Sequence, residues 1–237
     1  MTSMDPAVQH RVLETLEGAK NYNAWLADLT GPYLGDNPLE VGSGLGGNAS
    51  LWLEAGVERV TVSEIDPEVL ERLRARFDGD TRVAVDDVDL SKATAGSYTA
   101  VVGLNVLEHI ADDVGALRGA ARLLAPGGQV VMFVPAFEFA MGKFDRAIGH
   151  YRRYTRRTLS DAFIRAGLRP QSVRYVNSAG LPAWFVSVRL LGQEPREGLM
   201  LRAWDRGVIP VVRQIERRIN PPFGQSVLGV AVADRPS

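Results

Sequence analysis

The chain has 237 residues, 46% of them hydrophobic and 23% charged, with a formal net charge of −1. That balance describes a globular chain with a sizeable core, and it lacks the basic surplus that phosphate neutralisation demands of a nucleic-acid binder. The absence of cysteine excludes disulfides, thiolate metal sites and cysteine nucleophiles, and with no leader-like or membrane-length apolar run a cytoplasmic enzyme is expected.

Residues 6–34 read as two helices. Val8, Val12, Leu16 and Ala19 fall at helical spacing on the first, and Tyr22, Trp25, Leu26 and Leu29 on the second. The turn 35–38 leads into a short strand at 39–41. Strands are then expected at 60–62, 82–85 and 99–104, with a helix opening near Pro67 between the first two. A helix over 112–124 stops at Pro126-Gly127-Gly128, and a fifth strand follows at 129–134. A helix over 155–166 is expected to carry a capping pair of Thr158 and Asp161 and to end at Gly167. Strands at 171–176 and 225–233 close the pattern.

Strand and helix alternating at this interval predict a Rossmann-like, doubly wound, mostly parallel sheet of seven strands, the last antiparallel. One domain is expected: helical cap 1–35, cofactor-binding core 36–176, insertion or lid 177–224, last strand and tail 225–237. The insertion carries Leu181, Trp184, Phe185, Val186, Val188, Leu190 and Leu191, then a helical stretch over 199–219. It reads as core packing, as the wall of an apolar substrate pocket, or as a peripheral membrane contact.

A strand that ends in glycines and opens a helix lets a ligand approach the main chain without a Cβ clash. Gly42, Gly44 and Gly46 meet that demand, at the strand edge where open α/β sheets bind ligands. The pattern alone would also serve NAD, which leaves a nicotinamide-dependent oxidoreductase as the alternative. Glu40, two residues before Gly42, tilts the choice: a carboxylate there suits a cationic amino-acid end and is an awkward neighbour for a pyrophosphate.

The run Leu39-Glu40-Val41-Gly42-Ser43-Gly44-Leu45-Gly46 resembles the first motif of class I S-adenosylmethionine-dependent methyltransferases. Val62-Ser63-Glu64-Ile65-Asp66-Pro67-Glu68 is similar to their second-strand acid segment. Leu104-Asn105-Val106-Leu107-Glu108-His109-Ile110 is similar to the stretch after their fourth strand, and Leu123-Leu124-Ala125-Pro126-Gly127-Gly128 to the turn before their fifth. Gly149-His150-Tyr151-Arg152-Arg153-Tyr154 further resembles a bacterial subgroup that methylates small molecules.

The resemblance implies S-adenosyl-L-methionine as cofactor. By matching position, Gly42, Gly44 and Gly46 would line it, with Glu40 supporting the loop and Glu64 accepting from the ribose hydroxyls. One of Asp86, Asp87 and Asp89, with Asp87 favoured, would meet adenine. Asn105 would lie near the amino-acid end, and Tyr22 and Trp25 would close the site, with core packing the other reading of Trp25. A cofactor-binding protein without methyl transfer remains a further alternative.

Substrate contacts are expected from the region after the fifth strand. His150 is the expected base or substrate contact, beside Tyr151. His109 is either catalytic or packed on the next helix start, and His10 has no supporting motif. Arg153 and Tyr154 are expected to bind substrate. The run 152–157 reads as an anion site, a solvated helix start or, more weakly, an RNA contact, with Arg156 and Arg157 assigned to solvent. Related quinone-pathway methyltransferases carry Glu-x-x-Glu-His at a possible divalent-ion site. Here Asn105 stands at the first acid, and two remaining donors, Glu108 and His109, are too few, so no metal is expected. The partner is a small molecule, apolar or anionic, and not nucleic acid.

Overall fold

A computed structural model describes residues 18–190 and 199–233. The expected first helix and His10 lie outside them. A seven-stranded sheet has the order β3-β2-β1-β4-β5-β7-β6. Its strands are β1 Pro38–Val41, β2 Val60–Ser63, β3 Val83–Asp86, β4 Tyr98–Leu104, β5 Leu124–Pro135, β6 Leu168–Val176 and β7 Ser226–Ala233. Only β7 runs antiparallel to its neighbours, β5 and β6.

Burial follows position in the sheet. All four residues of central β1 and of β2 are buried, so these strands show no polar alternation. Edge strand β3 alternates between half-buried and exposed residues. Leu39, Val41, Val101, Val130 and Met132 pack on one face against helices α4 (Asp113–Arg122) and α6 (Arg156–Arg165). Val62, Val102, Val131 and Phe133 pack on the other against α1 (Lys20–Thr30), α2 (Gly47–Glu54) and α3 (Pro67–Arg76). The pleat sends successive side chains to opposite faces, so Glu40, between Leu39 and Val41, points to the α2 face.

Local chemistry sets the helix ends. Asp66 accepts from the Glu68 and Val69 N–H groups, and Pro67 follows at the first helical position, where its missing N–H costs nothing. The cap of α6 is Thr155 rather than the expected Thr158 and Asp161 pair. Thr155 Oγ1 accepts from Thr158 N at 3.1 Å, and Thr158 Oγ1 accepts from Thr155 N at 2.8 Å. Strand β5 starts at Leu124, before the expected stop, because Pro126-Gly127-Gly128 loops out within the strand, between the pairs Tyr98↔Leu124 and Ala100↔Gln129.

The segment between β6 and β7 is anchored by buried acids. It contains α7 (Gly180–Trp184), a π-helical turn (Phe185–Leu190) and α8 (Leu199–Glu216). Helix α1 has Ala19 at its N-cap and no side-chain cap of its own. Asp205 of α8 takes that place, accepting from the Asn21 and Tyr22 N–H groups at 3.1 and 2.9 Å. Glu216 accepts from the Asn177 and Ser178 N–H groups at 3.0 and 2.8 Å, which fixes the far end of α8 to the end of β6. Among the described residues, no helix is long and apolar enough to cross a membrane.

Candidate active site

The chain passes from β1 out to β3 on one side, then returns to place β4 against β1 on the other. The carboxyl ends of β1 and β4 thus flank the point where the winding reverses, and there the loops diverge and leave a crevice. Val41 pairs with Gly103, so the glycine loop after β1 and the segment 105–110 after β4 leave the sheet side by side.

Gly42, Gly44 and Gly46 all adopt positive φ, at 62°, 54° and 79°. A Cβ on Gly42 would meet Val106 Cγ2 at 2.6 Å, so this glycine lets the two loops touch. Ser43 ties the loop to β2, its Oγ accepting from Ser63 N at 3.0 Å. Glu64, at the end of β2, is buried. Its Oε2 accepts from Gly44 N at 3.1 Å and its Oε1 from Ile65 N at 2.8 Å, which holds the carboxylate across the loop. Asp86 and Asp89 accept from neighbouring groups in the turn, and Asp89 also pairs with Lys92 at 3.0 Å. Asp87 is exposed. Asn105 is left-handed, with φ 54°, and its N–H donates to Phe133 O at 2.8 Å.

Glu40 is 1% exposed, and burial pushes its carboxyl up to about 8, against hydrogen bonds from Ser43 and Asn48. Among the described residues, Glu40 Oε2 and Asn48 Oδ1 have no hydrogen-bond partner. Two buried acceptors without a donor, beside the glycine loop, fit the ammonium of a methionine-like ligand.

Gly46 has a different reason from the one expected. A Cβ there would lie 2.5 Å from Phe77 Cε2 and 2.9 Å from Leu73 Cδ1, so Gly46 is required by the packing of the loop on α3. Gly46→Ala is expected to cost about 2–4 kcal/mol, from left-handed backbone and overpacking together. Urea unfolding of the variant and the parent chain measures it.

Beyond β4, a tight turn at Leu107–His109 buries Glu108 completely. Neither Glu108 oxygen is hydrogen-bonded by another described residue. Burial pushes the carboxyl up to about 8, against its own backbone N–H and the Arg153 charge. Residues 150–154 reach this turn by pairing beside the end of β5. Phe137 N donates to Tyr154 O, Tyr154 N to Pro135 O and Tyr151 N to Glu108 O, each at 2.8 Å. His150 is thereby carried over the end of β4. Its Nδ1 lies 3.0 Å from Asp145 Oδ1 and its Nε2 3.8 Å from Glu108 Oε1. His109 meets the His150 ring edge-on, centroids 4.6 Å apart, and burial lowers its pKa to about 4, helped by His150. Tyr22 completes the wall; its hydroxyl pKa is raised by burial, with Ser226 hydrogen-bonded to it and Glu108 nearby.

Asp145 organises this cluster. It is fully buried in α5 (Lys143–Ala147), where its Oδ2 accepts from Gly142 N at 2.8 Å. Its Oδ1 accepts from Arg153 Nε at 2.8 Å and faces Arg153 Nη2 at 2.7 Å. Burial alone would raise its pKa; the His150 hydrogen bond and the Arg153 charge outweigh that and hold it below the usual carboxylate range. An ionised Asp145 only accepts, so the proton between it and His150 sits on Nδ1, and Nε2 faces the site.

Several expected substrate contacts move into the structure itself. Arg153 is neither solvated nor free for an anion: its guanidinium pairs with Asp145, donates to Ala136 O at 3.2 Å and stacks over Trp184 at 4.9 Å. Tyr154 is a core residue, 2% exposed, with its hydroxyl donating to Asp113 Oδ2 at 3.0 Å. Trp25, 2% exposed, belongs to the core under α1. The Tyr151 ring is solvent-exposed, while its backbone N–H donates to Glu108 O. Arg157 is exposed as expected, and Arg156 lies over Tyr175 at 5.1 Å. The donor count that argued against a metal is also corrected. His150 joins Glu108 and His109, and the three ligand atoms lie within 4.8 Å of one another. The sequence reading missed Asp145 altogether, because nothing in Gly142-Lys143-Phe144-Asp145 signals its burial.

The buried carboxyls set a pH dependence. In the folded chain Glu40 and Glu108 hold protons up to about 8, against an ordinary 4.5, so their contribution to stability is lost as pH rises through 8. His109 acts in the opposite sense, but only between about 4 and 6.5. Between pH 6.5 and 8 the two glutamates therefore dominate. Unfolding free energy is expected to fall by about 2–3 kcal/mol across that window, and Glu40→Gln to remove about half of the fall.

Comparisons with known proteins agree with this geometry. Residues 39–130 match a family described as a methyltransferase domain. The chain is 29% identical over 161 residues to an uncharacterized 37.1 kDa protein in a transposon of Streptomyces fradiae, covering 66% of this chain and 46% of that protein. It is 33% identical over 103 residues to the ubiquinone biosynthesis O-methyltransferase of Xanthomonas oryzae pv. oryzae, covering 41% and 42%. The chain thus matches less than half the length of each of these two relatives. The fold is shared with geranyl diphosphate C-methyltransferase from Streptomyces coelicolor A3(2), solved with Mg2+, geranyl diphosphate and S-adenosyl-L-homocysteine. That likeness has a TM-score of 0.61 at 16% identity and covers 88% of this chain and 78% of the other. With its sheet order, its glycine loop and the acids at the ends of its strands, the chain carries over residues 39–130 a match to a methyltransferase domain, on the fold that such enzymes share.

Proposed function

We propose that this chain moves the methyl group of S-adenosylmethionine to an oxygen or nitrogen nucleophile of a small-molecule acceptor by in-line displacement. The observation that carries this reading is a juxtaposition. The glycine loop with Glu40 and Glu64 and the cluster of Glu108, His109 and His150 leave adjacent strands, β1 and β4, at one sheet edge. When bound, the sulfonium cofactor supplies an activated methyl group. Glu64 is suited to the ribose hydroxyls, Glu40 and Asn48 to the ammonium, Asp87 to the adenine amino group and Asn105 to the amino-acid end. Holding two reactants in line at near-contact distance can itself remove about 7–11 kcal/mol of barrier in the best cases. A hydroxyl acceptor must also lose its proton, and the His150 cluster is suited to take it.

Residues 177–190, at the start of the 177–224 insertion, serve as a wall beside this cluster. Trp184 meets Phe144 at 5.8 Å and Phe185 meets Phe139 at 5.9 Å, so α7 and the turn after it are fastened to the strip after β5 by aromatic contacts. Such a wall suits an apolar or aromatic acceptor better than an anionic one, because the Arg153 charge is already neutralised by Asp145. The test is calorimetric titration with S-adenosylhomocysteine and with NAD, followed by conversion of S-adenosylmethionine over a panel of phenols, alcohols and amines. Binding of the first ligand alone, with turnover on a hydroxyl or amine, is expected. Absence of affinity for both sulfonium cofactor and product would reject the reading.

A further inference from the structure

We infer that the outer face of helix α8 binds an anionic lipid surface, its apolar row seated at the headgroup boundary and its arginines on lipid phosphates. This surface lies outside the methyl-transfer reading, and neither depends on the other.

The inner face of α8 is fully used by the fold. Asp205, Ile209, Val212 and Glu216 are buried, at the three- and four-residue spacing of one helical stripe. Asp205 caps α1, and Glu216 holds the end of β6. The outer face differs from an ordinary solvated helix. Val211, Ile215 and Ile219 are 57%, 50% and 56% exposed and follow one another at four-residue steps. The helical turn continues past Glu216, because Ile219 N donates to Ile215 O at 3.2 Å. Single exposed hydrophobic residues are common on any protein. Three in one row make a continuous apolar edge, which half-buried Trp204 and Val208 extend toward the core.

Charge on the exposed part of the helix has one sign. The acids between 199 and 219 are Asp205 and Glu216, both buried and both occupied by backbone N–H groups. Of the five arginines in that stretch, Arg213 and Arg217 pair with Asp28. Arg202, Arg206 and Arg218 are exposed, and among the described residues no acid pairs with them. The whole chain carries −1, so this is a local surplus.

Apolar row and arginines together select the occupant. A second copy of the chain, docked through the same face, would offer these arginines no exposed acid from the facing helix. A nucleic acid would use the arginines and leave the isoleucines in water. An anionic bilayer takes both, with phosphates for the guanidiniums and an acyl boundary for the apolar row. From Arg202 to Ile219 the helix runs about 25 Å, long enough to lie along a membrane surface. The inner face already anchors α8, so docking requires no folding of the helix on the lipid.

The full chain is floated with vesicles of phosphatidylcholine alone, and of phosphatidylcholine and phosphatidylglycerol in equal parts. Binding to the anionic vesicles only is expected, weakening about tenfold or more as salt rises to about 0.5 M. Arg202→Gln, Arg206→Gln and Arg218→Gln together should lower the affinity about 100-fold, roughly fivefold for each charge removed. Ile215→Gln with Ile219→Gln should lower it about tenfold or more. Arg157→Gln, at an exposed arginine of α6, should leave it unchanged. Thermal unfolding of each variant separates misfolding from lost binding. Failure to float with the anionic vesicles overturns the proposal, as does equal binding to the neutral ones. Binding that survives either set of substitutions in folded protein overturns it too. Sedimentation velocity covers the other occupant: self-association that Ile215→Gln with Ile219→Gln abolishes would put a second copy on this face in place of lipid.

Discussion

Glu64→Ala is expected to weaken S-adenosylhomocysteine binding by about 100-fold or more while leaving the chain folded. Hydrogen bonds to an ionised group contribute about 1.5–3 kcal/mol each, and a carboxylate facing two ribose hydroxyls makes two of them. The same carboxylate holds Gly44 N at 3.1 Å and Ile65 N at 2.8 Å, so its removal also loosens the loop that cradles the ligand. Glu64→Gln keeps an acceptor oxygen and the side-chain volume, and a smaller loss, of about tenfold, is expected from it. Titration calorimetry of both variants, with far-ultraviolet circular dichroism as the folding control, reads the effect. A Glu64→Ala chain that binds as tightly as the parent would remove Glu64 from the cofactor site.

The placement of Glu64 could be read from the sequence: an acid at the end of the second strand meets the glycine loop, its Oε2 accepting from Gly44 N. The glycines were legible for the same reason, since a strand that ends in a sharp turn requires positive φ. Gly46 shows the limit of that signal. Its φ is positive at 79°, but the contact that forbids a side chain comes from Phe77, which caps a helix far along the chain. Tyr22 and Trp25 share a helix and a spacing. Only the docking of α1, pinned by Asp205, puts the tyrosine beside Glu108 and the tryptophan in the core.

The post-β5 region was the least legible. Read alone, Arg152-Arg153-Tyr154 looks like a basic surface. The parallel pairing of Tyr154 with Ala136 turns it into an inner layer of the site. That pairing is not local and leaves no period in the sequence. It decides that Arg152 lies over Tyr151 at 5.8 Å, whereas Arg153 is enclosed. The contact of His150 with His109 escaped for the same reason, because His150 lies forty-one residues later and meets it through this pairing.

Arg153→Met is expected to cost about 3–5 kcal/mol, because it strands the buried Asp145 charge; losing one partner of a buried pair is far worse than losing both. The pair is well enclosed, with side chains 2% and 0% exposed and an Nη2 to Oδ1 distance of 2.7 Å. Methionine keeps most of the packing under Trp184, so the loss reports charge rather than volume. Asp145→Asn with Arg153→Met should recover a large part of the stability, since an amide is much cheaper to bury than a carboxylate. Chemical denaturation of the two single variants and the double variant gives the coupling. Activity should not follow stability: the double variant regains its fold but lacks the ionised Asp145 that keeps the proton on His150 Nδ1, and turnover should remain low. A double variant as active as the parent would mean that Asp145 and Arg153 serve the fold alone and that His150 needs no orienting partner.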